Sequence, residues 1–200
     1  HHGSWPEVFA RVAGDLRRIA SIRPRSGSGF AGATLPPMTV VRPAGQRQDL
    51  RKLKDPGPLL AYGDALTGAG LRRHAIEVYR GLLAFHPDVA AAWNNLGVCL
   101  QEEGELSEAI AAYEAATKLD ASNAAMLNNF GYALGEHGIR GRAAEVLRRA
   151  IELDNGLAEA HNNLGNILRA DGDHAGARGA YETAIRCRPD FPEPHWNLAQ

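Results

Sequence analysis

The sequence predicts an all-α fold, a solenoid of helix-turn-helix units preceded by an amphipathic helix and an extended arm. Three observations carry it. A short signature returns at a fixed interval: Trp93-Asn94-Asn95-Leu96-Gly97, Leu127-Asn128-Asn129-Phe130-Gly131 and His161-Asn162-Asn163-Leu164-Gly165 follow one another every 34 residues. Alanine and leucine supply most of the 44 % apolar content, and aromatics only 6 %. Such a composition suits closely packed helices better than an aromatic-rich sandwich. Glycine-containing turns, such as Glu103-Gly104-Glu105 and Ala170-Asp171-Gly172-Asp173, divide each interval into two amphipathic halves.

The interval extends in both directions. One step forward reaches His195-Trp196-Asn197-Leu198-Ala199, and one step back reaches Leu59-Leu60-Ala61-Tyr62-Gly63. In the second half of each unit, Ala75, Ala109, Ala143 and Ala177 are followed four residues on by Tyr79, Tyr113, Leu147 and Tyr181. Pro87 and Pro189 close the first and fourth units. These columns resemble the tetratricopeptide repeat, whose pattern is W-x2-L-G-x2-Y, then A-x3-F, then P. The second unit matches best, through Trp93, Leu96, Gly97, Leu100, Ala109 and Tyr113. Ala121 and Asn155 depart from the closing proline. The units fall at about 56–89, 90–123, 124–157 and 158–191, with a partial fifth at 192–200. The resemblance implies a right-handed superhelix whose first helices line a concave surface.

Local signals fit this plan. A glycine in mid-helix costs roughly 1 kcal/mol against alanine, so the recurrence of Gly97, Gly131 and Gly165 implies close helix approach, near Ala109, Ala143 and Ala177. Asp88, Ser122, Asn123 and Asp190 stand where the next helix starts and are candidate caps. No unit buries its apolar face alone, so stacking supplies the core.

Packing consumes the apolar columns, which leaves function to the other positions of each first helix. Asparagine dominates them: Asn95, Asn129, Asn163 and Asn197 form one column, with Asn94, Asn128 and Asn162 beside it and Asn166 below. Asparagine is a mediocre helix former. Its recurrence has two readings, amides packed between adjacent repeats, or a ladder that satisfies the main chain of an extended peptide. An amide offers donors and an acceptor that match a peptide unit whatever its side chain. The string Ala160 to Asn166 further resembles the repeats of O-linked N-acetylglucosamine transferases and their bacterial relatives. That resemblance implies a peptide-holding ladder at Asn95, Asn129, Asn163 and Asn197, broken in the first unit by Ala61. It also raises an alternative, that this chain is the substrate-recognition region of a larger glycosyltransferase-like enzyme.

The remaining groove-facing positions are Val98, Glu102, Tyr132, Glu136 and Glu159, with Arg169 as their one clear cation. A clamp for a C-terminal carboxylate needs several cations there and is not expected. Charge is unevenly distributed. Residues 1–54 hold ten basic against three acidic residues, and the remainder 12 basic against 20 acidic. An acidic repeat body argues against a nucleic-acid partner. The basic segment is expected to dock on its own or a neighbouring solenoid with an extended part in the groove, or alternatively its helix caps the first repeat. Within it, Trp5, Val8, Phe9, Val12, Leu16 and Ile19 predict an amphipathic helix over 5–20. A Pro/Gly/Ser-rich arm follows over 21–54, and a membrane-surface role for the helix is the weaker use of this pattern. His1-His2-Gly3-Ser4 reads as a tag remnant, and Ser26 to Gly29 resembles an engineered linker.

No apolar run reaches the roughly 18 residues of a membrane span, and a cytoplasmic location is the default. Cys99 and Cys187 read as two small buried hydrophobes without metal spacing. His161 and His195 share the Trp93 column and read as packing substitutes. With no nucleophile motif and no phosphate-binding loop, a binding protein without cofactor is expected rather than an enzyme.

Overall fold

The computed structural model describes residues 55–199. The predicted helix at 5–20 and the basic arm at 21–54, with their expected docking, lie outside the described residues. Among those described, all regular structure is helical: α1 (Gly57–Gly68), α2 (Arg72–Leu83), α3 (Ala90–Glu102), α4 (Leu106–Leu119), α5 (Ala124–Glu136), α6 (Arg140–Leu153), α7 (Ala158–Ala170), α8 (His174–Cys187) and α9 (Pro192–Leu198). Helices α1/α2, α3/α4, α5/α6 and α7/α8 form four hairpins, here repeats 1 to 4, and α9 packs on α8. Each second helix also packs on the first helix of the next repeat, and the first helices α1, α3, α5 and α7 contact one another in sequence. That arrangement makes a solenoid with the first helices side by side along one face.

The hairpins share one turn. Gly70, Gly104, Gly138 and Gly172 adopt φ of 74°, 85°, 85° and 84°, the left-handed region that glycine enters without a Cβ penalty. The following N–H closes each helix, as Glu105 N to Leu100 O at 2.8 Å and Asp173 N to Leu168 O at 2.9 Å. The glycine N–H bonds a carbonyl three residues back, as Gly104 N to Gln101 O at 3.0 Å. Together they satisfy carbonyls that a helix end otherwise leaves open.

A second set of glycines sets the distance between helices. A Cβ on Gly97 would stand 2.7 Å from the Tyr113 ring, and one on Gly165 2.5 Å from the Tyr181 ring. At Gly131 it would meet the Leu147 Cγ at 2.6 Å. The tightest approach is therefore to the column four residues beyond the alanines, with Ala143 O a further neighbour of Gly131 at 3.4 Å. Ala75, Ala109, Ala143 and Ala177 are themselves buried, and Tyr79, Tyr113, Leu147 and Tyr181 complete the core with Leu82, Leu100 and Leu134.

Three expectations need correction. Of the candidate caps, only Asn123 caps a helix, accepting the Met126 N–H at 3.1 Å. Helices α3 and α9 take Val89 and Phe191 as their first flanking residues, so Asp88 and Asp190 stand one position too early to reach the free amides. Ser122 instead donates to Asp120 Oδ1 at 2.8 Å. The cap missed in the sequence is Asp173, which accepts from Gly176 N at 2.9 Å and starts α8. Finally, Cys99 is buried but Cys187 is exposed, because it ends its helix in the same turn position as the exposed Phe85, Leu119 and Leu153.

Candidate functional site

The first helices bring the asparagines together on one face, but not as four equivalent rungs. Asn129 Nδ2 donates to Asn94 Oδ1 at 3.1 Å, and Asn163 Nδ2 to Asn128 Oδ1 at 3.0 Å. Asn197 Nδ2 donates to Asn162 Oδ1 at 3.0 Å. Each bond runs from the Asn95, Asn129, Asn163 and Asn197 column to the first asparagine of the preceding repeat, so the two columns interlock diagonally. This hydrogen bonding fixes the orientation of each amide in a way rotamer preference alone does not.

What remains unused differs from rung to rung. Asn129 and Asn163 are half-buried and spend one amide N–H each on the bond to the preceding repeat. A second N–H and the Oδ1 stay available, one donor and one acceptor. Asn95 instead donates to Asp64 Oδ1 at 2.8 Å and accepts from Asn94 Nδ2 at 3.1 Å. The preceding repeat has Leu60 where an asparagine would accept, and Asp64, one turn on, takes its place. Asn197 is spent on the donor side. It also donates to Asn166 Oδ1 at 3.1 Å and is 9 % exposed, beside Asn162 at 6 %.

Asp64 and Asn166 occupy the same position in repeats 1 and 4, and they do the same work. Asp64 accepts from the Tyr79 hydroxyl at 2.7 Å, and Asn166 from the Tyr181 hydroxyl at 2.8 Å. Each ties a core tyrosine to an asparagine of the next repeat. Burial pushes the phenols of Tyr79, Tyr113 and Tyr181 up, with Arg169 drawing Tyr181 back. These phenols therefore act as neutral donors. In repeat 2 the position is Val98, and the Tyr113 hydroxyl donates to Gln101 Oε1 at 2.9 Å instead.

Repeat 3 breaks the pattern. Its position holds Tyr132, its core column holds Leu147, and the column shared by Thr67, Gln101 and Arg169 holds Gly135. With no tyrosine hydroxyl below it, Tyr132 stands 44 % exposed and donates to Glu136 Oε1 at 3.1 Å. The Gln101 amide donates to the other oxygen of Glu136. Between α5 and α7 a cavity of about 230 Å³ opens, lined by Tyr132, Gly135, Glu136, Leu147, Asn163 and Ile167 among others. Sequence reasoning placed Tyr132 and Glu136 on this face but missed Asp64, Gln101, Gly135 and Leu147. The signal for them was their departure from a column, which the 34-residue alignment displays.

Arg169, on α7, forms no ion pair among the described residues; the Tyr181 phenol feels its charge. Trp196 follows the Asn94, Asn128 and Asn162 column onto α9 and is 62 % exposed. The histidines of the Trp93 column keep a polar duty besides packing. Trp93 Nε1 donates to Pro87 O at 2.9 Å, while the Nε2 atoms of His161 and His195 lie 3.0 and 2.9 Å from Asn155 O and Pro189 O. They close the loop between repeats as the indole does. Among the described residues there is no cluster of acidic, histidine or cysteine side chains able to hold a metal ion, and no helix long and apolar enough to cross a membrane.

This geometry defines a class. Family models of the tetratricopeptide repeat match residues 90–123 and 128–192, and these residues are tetratricopeptide repeats, a protein-interaction scaffold fold. Solved structures agree. The crystal structure of MamA is 27 % identical, with a TM-score of 0.64 over 68 % of this chain and 80 % of that one. PilF of Pseudomonas aeruginosa is 26 % identical, with a TM-score of 0.67 over 72 % of this chain and 66 % of that one. MamA of Desulfovibrio magneticus RS-1, 23 % identical with a TM-score of 0.63 over 68 % of this chain and 77 % of that one, shares the fold. No curated protein sequence matches significantly. The likeness to the N-acetylglucosamine transferase repeats rests on the string 160–166 alone.

Proposed function

We propose that this chain is a binding module, not a catalyst, and that it holds an extended polypeptide segment along the face made by its first helices. One observation carries the reading. Asn129 and Asn163 are each clamped by a single hydrogen bond to the preceding repeat and keep one N–H and one carbonyl oxygen free. That is the complement of a peptide unit, oriented before the guest arrives, so little ordering cost remains to be met on binding. Asn94 and Asn128 act as the clamps. Asn95 serves with its one remaining N–H, while Asn162, Asn166 and Asn197 form the buried end that stiffens the ladder. Tyr132, Trp196 and Arg169 supply side-chain contacts beside it. An exposed aromatic contributes large contact area at small entropy cost.

The test is capture of a random-sequence peptide pool, read by mass spectrometry, on wild type and on the Asn129→Ala/Asn163→Ala double variant. Capture by the double variant is expected to fall about tenfold, as two hydrogen-bonded main-chain contacts worth roughly 0.5–1 kcal/mol each are lost. Unchanged capture alongside reduced unfolding stability would return the amides to a packing role alone.

A further inference from the structure

The cavity in repeat 3 deepens the groove reading, on which it rests, by naming a side chain that the groove selects. We infer that it is a specificity pocket for one lysine or arginine of the bound segment, with the stem inside and the charged head at Glu136.

Two columns that differ in repeat 3 line the cavity. Tyr79, Tyr113 and Tyr181 fill the space beneath their first helices, whereas Leu147 is shorter and brings no hydroxyl. Gly135 removes the side chain that Thr67, Gln101 and Arg169 place at the equivalent point. A Cβ there would meet Ile167 Cδ1 at 2.7 Å, so Ile167 now forms a wall of the cavity. Its volume of about 230 Å³ admits one long side chain and no domain-sized ligand. The pocket lies beside Asn163, a rung with a free donor and acceptor, so a main chain held there delivers its side chain to the opening.

Charge then selects the occupant. Glu136 receives hydrogen bonds from the Gln101 amide and the Tyr132 hydroxyl, both neutral. It has no cation within ion-pair distance among the described residues. The cation on the same rim, Arg140, is already opposite Asp171, 3.8 Å away. The pocket therefore presents apolar walls, an aromatic face at Tyr132 and a carboxylate without a counter-charge. A long apolar stem ending in a cation satisfies all three, through burial, cation–π contact and a charge-assisted bond. The acidic repeat body, 12 basic against 20 acidic residues beyond residue 54, draws a basic guest toward it.

The experiment is selection of a phage-displayed random-peptide library on the immobilised chain, run in parallel on Glu136→Gln and Leu147→Tyr. Glu136 is exposed and its amide is nearly isosteric, while tyrosine at 147 restores what three other repeats carry. Peptides recovered on wild type are expected to share one Arg or Lys position, and that preference is expected to vanish on both variants. A synthetic peptide with norleucine at that position should bind wild type about three- to tenfold more weakly, the scale of one part-exposed charge-assisted contact. On Glu136→Gln the two peptides should bind alike. An apolar or acidic consensus, no consensus, or a basic one surviving on both variants overturns the pocket and leaves the groove reading standing. Recovery of no peptide on wild type overturns both.

Discussion

Repeats 3 and 4 share helix lengths, turn and spacing, yet beneath the first helix one carries a leucine and the other a tyrosine. In repeat 4 the Tyr181 ring lies under Gly165 and its hydroxyl reaches Asn166, which also receives Asn197. Core, first helix and next repeat are stitched by one side chain. In repeat 3, Leu147 lies under Gly131 without a hydroxyl, and Tyr132 points its own hydroxyl to Glu136 at the surface. The backbone tolerates both because packing fixes only the columns between helices. Individual repeats can therefore differ beneath this face without disturbing the stack.

The largest expected effect probes that stitching. Gly165→Ala drives a methyl into a ring that its hydrogen bond holds in place and should cost about 2–3 kcal/mol by urea unfolding. Gly131→Ala meets the buried Leu147 at its Cγ, beside the cavity and without a hydroxyl bond to hold it, and should cost less, about 1–2 kcal/mol. Equal losses would mean the two interfaces are equally rigid. Next, Asn197→Ala removes a buried double donor and leaves Asn162 and Asn166 short of a partner, a loss of about 1.5–2 kcal/mol. Asn163→Ala, whose partner water can reach, should cost well under about 1 kcal/mol. Gly179, on α8, has nothing within reach of an added Cβ, so Gly179→Ala should raise stability by about 0.5–1 kcal/mol through helix propensity.

The smallest effect is a matter of pH. Lys118 and Arg142 hold the Glu114 carboxyl below its ordinary value, and Arg142 reaches it from the following repeat. A depressed carboxyl stabilises above its unfolded pKa and loses that contribution as pH falls through the folded value. Glu114→Gln should therefore be less stable near neutrality, by at most about 0.5 kcal/mol at so exposed a site. Its thermal melts and those of wild type should converge as pH drops below about 4.

The sequence displayed the hairpins plainly, since a glycine, an alanine and an aromatic recurring together can serve only one packing scheme. It displayed the asparagine columns too. What it hid was the diagonal between them: Asn129 bonds Asn94 and not Asn95, because adjacent helices meet offset by one residue from the repeat. Asp64 was hidden for a related reason, as its resemblance to Asn166 lies in what it accepts, not in its residue type. The cavity beside Leu147 and Gly135 depends on how Ile167 of the next repeat packs against the glycine, which an alignment of columns does not record.

The diagonal bonds also make the ladder a ruler. Packed helices lie about 8–10 Å apart, while an extended strand advances about 3.3 Å per residue, so successive rungs would meet the proposed guest roughly every third residue. Side chains of a strand alternate in direction, so every third residue turns alternately toward and away from the helices. Were an extended segment held along this face, residues roughly six apart would meet every second rung from the same side, and the cavity in repeat 3 would meet a single side chain of it.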